Sequence, residues 1–489
     1  MTRDSGIVLS DLGSVASMGE ARPETQVLDR RSRAMSHAEH CRRLKMEVKR
    51  QERREALVPP GAMVMGIDLS RDEMVWHALG GEDWPRRAVG FTGDRTWEGV
   101  RDMVKQARPI AAELGCSEWV FAMEPTGSYW LPVAEALHRA GERYVVVPAV
   151  FVKRTRELED GRPQAADPKD ARRIADLARQ RKVLFVQPQE EAGWRRTWYE
   201  IAAEYYDLGE AIQVERHRLR SWTDISRPVW AAQISDLTGS TALAVAQVLR
   251  QVTGEWDERR FLEEVRKVYS GRRFPASVAR RLWPEVHQPS EWGCSWYREG
   301  LDWRISLAAE RLAGLLRQQA ETEARMMPFY EQSPEARFLD TIQGNPRTLT
   351  ACVMGLAGDP HDWDSPRALV KMAGLDPQRD HSGRWRGETH VSRKGQGRLR
   401  GAAYRAAAWL CGLGRNPFFT ARYWALRRRT ENPLRHREAV VACADTYLRM
   451  LVVMAQKELT YREYCHFAHI ALTPEVSVAL TEPAESPHD

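Results

Sequence analysis

A short apolar run with one acid near its end constrains the fold of this chain more than any other feature. Residues 63–69 read Met-Val-Met-Gly-Ile-Asp-Leu, and Asp68 is the one charged side chain among them. Such a run predicts a strand buried on both faces of a sheet. A second β-rich run, Glu73–Leu79, follows after a short polar link, so a hairpin is expected. A carboxylate inside a sheet is costly unless it is paired or bound to a metal.

Further acids lie at the boundaries of predicted elements downstream. A predicted strand over residues 119–123 ends on Glu124, and a predicted helix begins with Asp167 and Asp170 in its first turn. Residues three apart share one face of a helix, so these two aspartates point the same way. Four carboxylates on one sheet suit a pair of magnesium or manganese ions. The alternative is that Asp68 is a turn residue, that Glu124 is merely exposed, and that the helical pair is only a favourable helix start.

The order of the elements predicts an α/β domain between residue 63 and about residue 186. After the first two strands the expected elements are a strand near 87–92, a helix at 96–114, a strand at 119–123, a helix at 129–140, a strand at 143–147, and helices at 149–158 and 167–182. Three early strands followed by alternating helix and strand are typical of a ribonuclease-H-like sheet. Domains of that class carry acids on their central strands and on a late helix.

The whole chain divides into five predicted segments. Residues 1–60 form a disordered, then basic helical extension; 61–187 the catalytic α/β domain; 188–332 a coiled coil with a helical insert at 236–300; 333–462 a mostly helical C-terminal domain; and 463–489 a tail. Steps of four and three separate the apolar residues of the first seam, Trp194, Trp198, Ile201, Tyr205, Leu208 and Ile212. A similar spacing recurs over Ile305–Leu315. The two seams predict an antiparallel hairpin or an oligomer interface, with an ordinary helical core as the alternative.

The C-terminal domain contains a local concentration of positive charge. Between residues 384 and 400 the one acid is Glu388, whereas the basic residues are Arg384, Arg386, Arg393, Lys394, Arg398 and Arg400. Arg347 follows a tight turn over residues 344–346, where backbone amides and a helix N-terminus can hold a phosphate. This pattern predicts a nucleic-acid-binding surface. The formal net charge of +6 favours an anionic partner without requiring one.

Ser382-Gly383 lies within the same basic stretch. A hydroxyl beside a glycine is open to close backbone approach. From the spacing alone, a simple Ser-Gly turn is the favoured interpretation.

Cysteine usage and hydropathy indicate the compartment. The seven cysteines are scattered without a Cys-x-x-Cys pair, which favours reduced thiols in the cytoplasm and disfavours structural zinc. The most apolar late stretch, residues 439–455, is interrupted by Asp445 and Arg449, so no membrane span is expected.

Short motifs along most of the chain carry a resemblance to a known family. Between residues 63 and 458 they occur in the family's order, and they are Gly66-Ile67-Asp68-Leu69-Ser70, Glu124-Pro125-Thr126-Gly127-Ser128-Tyr129-Trp130, Val145-Val146-Val147-Pro148, Asp167-Pro168-Lys169-Asp170-Ala171, Gly344-Asn345-Pro346, Gly358-Asp359-Pro360, Ala373-Gly374-Leu375-Asp376-Pro377, Ser382-Gly383, and Ser392-Arg393-Lys394-Gly395 with Leu399-Arg400. The set resembles the DEDD-type transposases of bacterial insertion sequences, the IS110 family, whose members include pilin-gene DNA invertases.

The resemblance implies a RuvC-like domain, a coiled coil and a C-terminal transposase domain with a nucleophilic serine. Carried onto this chain, the metal-binding tetrad is Asp68, Glu124, Asp167 and Asp170. Ser382 then attacks the DNA phosphodiester and forms a covalent phosphoserine. The resemblance also implies a structured guide RNA, the bridge RNA, that pairs with donor and target DNA, and a bacterial, nucleoid-associated location.

The resulting hypothesis is an RNA-guided DNA recombinase that transposes an insertion sequence. It acts as a homo-oligomer, a dimer that becomes a tetramer on paired DNA. Two other enzymes remain open, an RNA-independent site-specific invertase and a RuvC-like junction nuclease. A catalytically inactive nucleic-acid-binding protein is the alternative of a different class. Ser382 disfavours simple hydrolysis, which needs no serine, and the complete set of acids disfavours an inactive protein.

Overall fold

The computed structural model describes residue 52 and residues 55–80, 89–125, 127–160, 167–183, 190–234, 236–290, 292–293, 295–382 and 385–468. Within these ranges the side chains of some residues, including Asp167, Ser382 and Arg386, lie outside the described part. Most of the predicted extension over residues 1–60 lies outside it as well. The chain divides into two compact units, residues 1–188 and residues 189–489.

The first unit is built on a mixed five-stranded sheet. Its strands are β1 (Met63–Leu69), β2 (Glu73–Leu79), β3 (Val89–Asp94), β4 (Trp119–Met123) and β5 (Tyr144–Val146), in the spatial order β3-β2-β1-β4-β5. The hairpin of β1 and β2 is antiparallel, as predicted, and β3 is antiparallel to β2. Both β4 and β5 run parallel to β1. The helices are α1 (Trp97–Glu113), α2 (Trp130–Arg139), α3 (Ala149–Asp160) and α4 (Asp167–Arg179).

Side chains of β1 alternate between two cores. Met63, Met65 and Ile67 pack on one face with residues of α1 and α2. Val64 packs on the other face with residues of α4. Helices therefore cover both faces, which explains why β1 is apolar throughout rather than alternating.

Gly66 allows α4 to lie directly against β1. A Cβ atom at this position would stand 2.1 Å from the carbonyl oxygen of Ala171 and 2.4 Å from the amide nitrogen of Ala175. No side chain fits in that space, so the close packing of this strand and helix depends on glycine.

The second unit is helical apart from one hairpin. Its helices are α5 (Glu190–Ser226), α6 (Pro228–Gln233), α7 (Ser240–Val248), α8 (Glu258–Val268), α9 (Ala276–His287), α10 (Arg298–Gln332), α11 (Ala336–Leu339), α12 (Arg347–Ala357), α13 (Pro366–Met372), α14 (Gly397–Leu410), α15 (Pro417–Arg428), α16 (His436–Lys457) and α17 (Tyr461–Phe467). The strands β6 (Pro377–Ser382) and β7 (Trp385–Val391) pair antiparallel. Among the described residues, no helix is long and apolar enough to cross a membrane.

The two long helices, α5 and α10, lie antiparallel. Near the middle, Arg311 of α10 bonds the Glu215 carboxylate of α5 at 3.0 Å. Toward the end of α5, Ser226 donates to Asp302 near the start of α10 at 2.8 Å. The two helices that carry the predicted seams therefore pack against each other within one chain.

The aromatic end of the α5 seam is buried by other helices of the same unit. Trp198 shares a core with Tyr330 of α10 and Cys352 of α12. Gly355 packs so closely that a Cβ atom there would stand 2.8 Å from the Trp198 ring. Because the seam is covered in this way, its burial does not require a second copy of the chain.

The segment around Ser382 forms two strands that the sequence patterns do not predict. Residues 377–391 form the hairpin of β6 and β7, with an irregularity in register between Arg379 and His381. The many charged residues of this segment hide the usual alternation of a strand, although Trp385, Thr389 and Val391 are good strand formers.

Candidate active site

Asp68 and Glu124 lie side by side at the carboxylate edge of the sheet, which is formed by the C-terminal ends of the inner strands β1 and β4. Ile67 of β1 pairs with Met123 of the parallel strand β4, and each acid is the next residue of its chain. Both acids are half-buried. The carboxyl ends of two neighbouring parallel strands thus each supply one carboxylate.

Alternation along the strands sets the face on which these acids lie. Val64 packs toward α4, and Gly66 touches that helix. Asp68 continues the same series, because every second residue of a strand points to the same face. On β4, Val120 and Ala122 likewise belong to the α4 core. Asp68 therefore lies on the face of the sheet that α4 covers.

The N-terminus of α4 lies at the same edge. Ala171 and Ala175 touch Gly66, whereas Arg181, beyond the end of α4, donates to the carbonyl of Val58 at 3.4 Å. The helix therefore runs antiparallel to β1, and its first turn lies toward Asp68. Asp167 is the first residue of α4. An aspartate in this turn also stabilises the positive end of the helix dipole.

Asp170 is fully buried between two arginines. Its Oδ1 accepts hydrogen bonds from Arg156 Nε and Arg173 Nη1, both at 2.8 Å, and Arg156 Nη2 lies 2.7 Å from Oδ2. The side chain of Arg173 is 3% exposed and that of Arg156 is 23% exposed. In this arrangement Asp170 is an ion-pair partner. Arg156, the more exposed cation, has to move before a metal ion can reach the Asp170 carboxylate.

The two arginines are functional neighbours that the sequence patterns did not single out. Arg173 lies three residues after Asp170 on α4, so helical spacing alone predicts that pair. Arg156 comes from α3, and only the packing of α3 against α4 brings it to the carboxylate.

His77 lies on the α4 face beside the site. It is paired with Gly66 across β1 and β2, and its Nε2 is buried with no hydrogen-bond partner among the described atoms. Burial, together with the positive charge of Arg172, lowers the pKa of His77 below its usual value. The imidazole is therefore neutral near neutral pH.

Ser382 lies at the tip of the β6–β7 hairpin. It is the last residue of β6, and its backbone pairs with Trp385 across the turn. Ser392, the other serine of this basic stretch, has structural contacts: its hydroxyl donates to the Asp376 carboxylate at 2.5 Å, and its amide donates to the Asp376 carbonyl at 3.0 Å. Those bonds close the base of the hairpin.

Several of the basic residues expected at the nucleic-acid surface are held by intramolecular partners. Arg347 bonds Asp340 at 3.1 Å, and this hydrogen bond raises the pKa of Arg347. Arg398 donates to both oxygens of Asp207, at 2.9 and 2.6 Å. Arg400 bonds the Ala373 carbonyl at 3.1 Å.

Two other residues of that set are exposed. Arg393 and Lys394 lie on the turn before α14 and extend into solvent. The side chain of Arg386 and all of Arg384 lie outside the described part. Among the predicted basic residues whose side chains are described, Arg393 and Lys394 are therefore the best placed to meet a phosphate.

A separate group in the second unit has the composition of a metal site. Ligand atoms of Glu335, Asp359 and His361 all lie within 4.8 Å of one another. The guanidinium of Arg195 stands between two of them, 2.7 Å from Glu335 Oε1 and 3.2 Å from Asp359 Oδ2. Because this cation already balances the carboxylates, we interpret the group as an ion-pair junction that fastens α5 to two loops.

Known protein families match both the domain that carries the acids and the region around the β6–β7 hairpin. A family model described as the Transposase IS116/IS110/IS902 family matches residues 336–423, and a model of the DEDD transposases of IS110 type matches residues 65–195. No curated relative matches the chain. The second match contains the sheet and α1–α4, and the first contains the β6–β7 hairpin. The chain therefore carries two domains of IS110-type transposases, enzymes that cut and rejoin DNA.

Proposed function

We propose that this transposase is an RNA-guided recombinase that cuts and rejoins donor and target DNA at a ribonuclease-H-like, or RuvC-like, centre. The observation that carries the proposal is the meeting of Asp68, Glu124 and the first turn of α4 at one edge of the sheet. The strand order β3-β2-β1-β4-β5, antiparallel then parallel, supports this class of domain.

The carboxylate oxygens proposed as metal ligands suit magnesium or manganese. Asp68 and Glu124 offer half-buried carboxylate oxygens, which both ions prefer as ligands. Asp167 completes the group from the start of α4. When bound, the metal supplies an activated oxygen nucleophile and charge stabilisation at the phosphate. The protein's part is to hold the acids in register, through the pairing of β1 and β4 and the glycine contact of α4.

Asp170 is the fourth proposed ligand, and it joins the others after Arg156 withdraws. In that event Arg173, almost fully buried, keeps the aspartate oriented. The released Arg156 guanidinium is then available to a DNA phosphate, which its planar fork of donors suits. The metal thus competes with Arg156 for Asp170, and the DNA phosphate competes with Asp170 for Arg156.

Ser382 is the proposed nucleophile. A serine hydroxyl is a weak attacker at neutral pH and needs a base, a metal or a charged environment. The position of Ser382 at a hairpin tip supports the role, because a tip can reach a strand that a sheet interior cannot. Attack by Oγ on the phosphorus forms the serine–phosphate bond, the 3′ or 5′ oxygen leaves, and rejoining reverses the step. Arg393 and Lys394, together with Arg384 and Arg386 from the sequence next to Ser382, neutralise phosphate charge.

The test of the carboxylate centre is the change Asp68→Asn. We expect strand cleavage to be abolished, while circular dichroism and nucleic-acid binding stay as in the wild type. The matched control is Asp72→Asn, four residues later in the exposed turn between β1 and β2, which should cleave normally. Undiminished cleavage by the Asp68→Asn protein would remove the acids from the mechanism.

The test of the serine is a covalent adduct that survives denaturation. We expect labelled DNA to become attached to the peptide that contains Ser382, and Ser382→Ala to prevent it. Ser392→Ala is the control, and it should weaken the hairpin base without abolishing the adduct. A label on Ser392, or an adduct in the Ser382→Ala protein, contradicts this assignment.

A further inference from the structure

An open cleft lies between the start of α1 and α2, on the face of the sheet opposite α4. Its volume is about 230 Å³. Val100 and Val133 form an apolar floor, and Arg95, Trp97 and Arg139 line the sides. Pockets that enclose a whole drug-sized ligand measure about 300–1,000 Å³. This cleft is smaller, so it suits one flat ring rather than a larger molecule.

Arg95 is fixed at the cleft by three contacts. Its amide donates to the Asp72 carbonyl at 2.8 Å, and its Nε donates to the Arg71 carbonyl at 2.7 Å. Its guanidinium lies 4.8 Å from the centre of the Tyr129 ring. A guanidinium has five N–H donors, so the bond to Arg71 leaves others for a ligand.

These contacts connect the cleft to the proposed catalytic acids. Arg71 is three residues from Asp68, a span of at most about 11 Å between Cα atoms. Tyr129 is five residues after Glu124. Arg95 therefore ties together the two loops that follow the acids, and the cleft opens close to the carboxylate edge of the sheet.

Trp97 presents an aromatic face beside a second arginine. Its side chain is 46% exposed although it is large and apolar, and the Arg139 guanidinium lies 6.0 Å from its ring centre. Arg139 also pairs with Glu135, an acid that lines the same cleft, so Arg95 supplies the unbalanced positive charge. The N-terminus of α1, capped by Thr96, adds partial positive charge at the same place.

This combination has a specific chemistry. Guanidinium groups bind phosphate through paired hydrogen bonds. An exposed indole stacks on an unpaired base, whatever the sequence. A paired base offers no open face, because its neighbours in the duplex cover it. Positive charge at the sides and an apolar floor thus match one nucleotide taken out of a helix.

We propose that the cleft binds one unpaired nucleotide of the DNA strand that is cut, with its base against Trp97 and its phosphate on Arg95 and Arg139. The inference rests on the proposed carboxylate centre, since it assigns the cleft to the strand delivered there. Arg95 and Arg139 are positioning residues, because they hold the strand without touching the reacting phosphate.

Photo-crosslinking tests the contact directly. Single-stranded deoxyoligonucleotides that each carry one 5-iodouracil at a successive position are bound to the full-length Asp68→Asn protein, which leaves them uncut. We expect one position to crosslink to Trp97, as mapped by peptide mass spectrometry. Arg139→Gln should weaken binding by about tenfold and reduce that crosslink. Arg108→Gln, an exposed charge-matched change farther along α1, should alter neither.

The same experiment separates the possible failures. If no position labels Trp97, or if Arg139→Gln binds as tightly as Arg108→Gln, the cleft assignment is wrong, even when Asp68→Asn is inactive. If an RNA strand of the same sequence crosslinks to Trp97 and displaces the DNA, the partner is the guide and the proposal fails. If Trp97 is labelled but Asp68→Asn still cleaves, the result supports the assignment of the cleft and contradicts the proposed carboxylate centre.

Steady-state kinetics distinguishes a positioning role of Arg139 from a purely structural one. In the protein with intact acids, Arg139→Gln should raise KM for the strand while kcat changes little, and Arg139→Lys should restore part of the loss. Equal falls in kcat and kcat/KM, with no change in KM, would contradict the positioning role.

Discussion

At the scale of single residues, the four acids are not equivalent. Asp68 and Glu124 are half-buried at the end of their strands, whereas Asp170 is fully buried between Arg156 and Arg173. A buried carboxylate that balances two cations supports the fold whatever its part in chemistry. Loss of activity on changing Asp170 is therefore ambiguous, while the same change at Asp68 is informative.

Asp170→Asn should lower the free energy of unfolding by about 3–5 kcal/mol, because it leaves two arginines without a counter-charge. Asp68→Asn should lower it by less than about 1 kcal/mol, since that side chain is partly hydrated. Urea unfolding of both proteins gives the comparison. Equal stability of the two variants would show that the arginine pair contributes little to the fold.

Arg156→Gln probes the exchange of Asp170 between cation and metal. Removing the more exposed arginine frees the carboxylate, so we expect half-maximal cleavage at a lower magnesium concentration than in the wild type. The control is Arg154→Gln, an exposed residue of the same helix. An unchanged magnesium dependence in the Arg156→Gln protein would mean that Asp170 never becomes a ligand.

His77 should make stability depend on pH. Its pKa is lowered in the folded protein by burial and by Arg172. Below about pH 6.5 the imidazole therefore binds a proton in the unfolded chain but stays neutral in the folded chain until the pH is lower. Stability is thus complete above about pH 6.5 and falls as the pH drops below it. His77→Gln should flatten this fall in urea unfolding, and the exposed His138→Gln should not. An identical pH profile for wild type and His77→Gln would overturn the argument.

At the scale of elements, the approach of α4 to β1 positions the site. Gly66 allows this contact, and the helix direction that follows brings the first turn of α4 to the acids. In the second unit, the antiparallel pairing of α5 and α10 forms part of the helical core. Its buried ion pair, Arg227 with Asp302 at 2.6 Å, fastens the end of one long helix to the start of the other.

Gly66→Ala should destabilise the first unit by about 3 kcal/mol, because the new methyl group meets backbone atoms that cannot turn aside. It should also weaken metal-dependent cleavage by moving α4. Gly314→Ala, inside α10 with open space around it, should instead stabilise by about 0.5–1 kcal/mol. Thermal unfolding measures both, and a Gly66→Ala protein as stable as wild type would contradict the close packing.

At the scale of the whole molecule, guidance by RNA and assembly are linked predictions. The seam over Trp194–Ile212 is covered by helices of its own chain, so it gives no reason for a dimer. The reason that remains is functional, since recombination joins two DNA partners. We expect a dimer by light scattering and a tetramer on paired DNA, with RNA copurifying. A monomer under every condition, or correct recombination by RNA-free protein, would contradict this scheme.

Much of the first unit follows from local sequence. The run around Asp68 predicts β1 because a continuous apolar stretch fits a sheet covered on both faces. The strand at 119–123 and the helices after it also follow from local sequence patterns. The hairpin of β6 and β7 was missed because its charges hide the alternation. The seam spacing predicted contact between α5 and α10 but left open whether the contact lay within one chain.

Local sequence patterns predict the acids at the ends of elements and the order of those elements, because these depend on side-chain chemistry and on the periods of helix and strand. The packing of the folded chain determines which groups meet. It brought Arg156 to Asp170 and Arg95 to Tyr129, and it paired Arg398 with Asp207 at the surface. Such pairings join residues far apart in the chain, and no local pattern encodes them. They depend on how helices pack on a sheet, which is settled by the whole core at once.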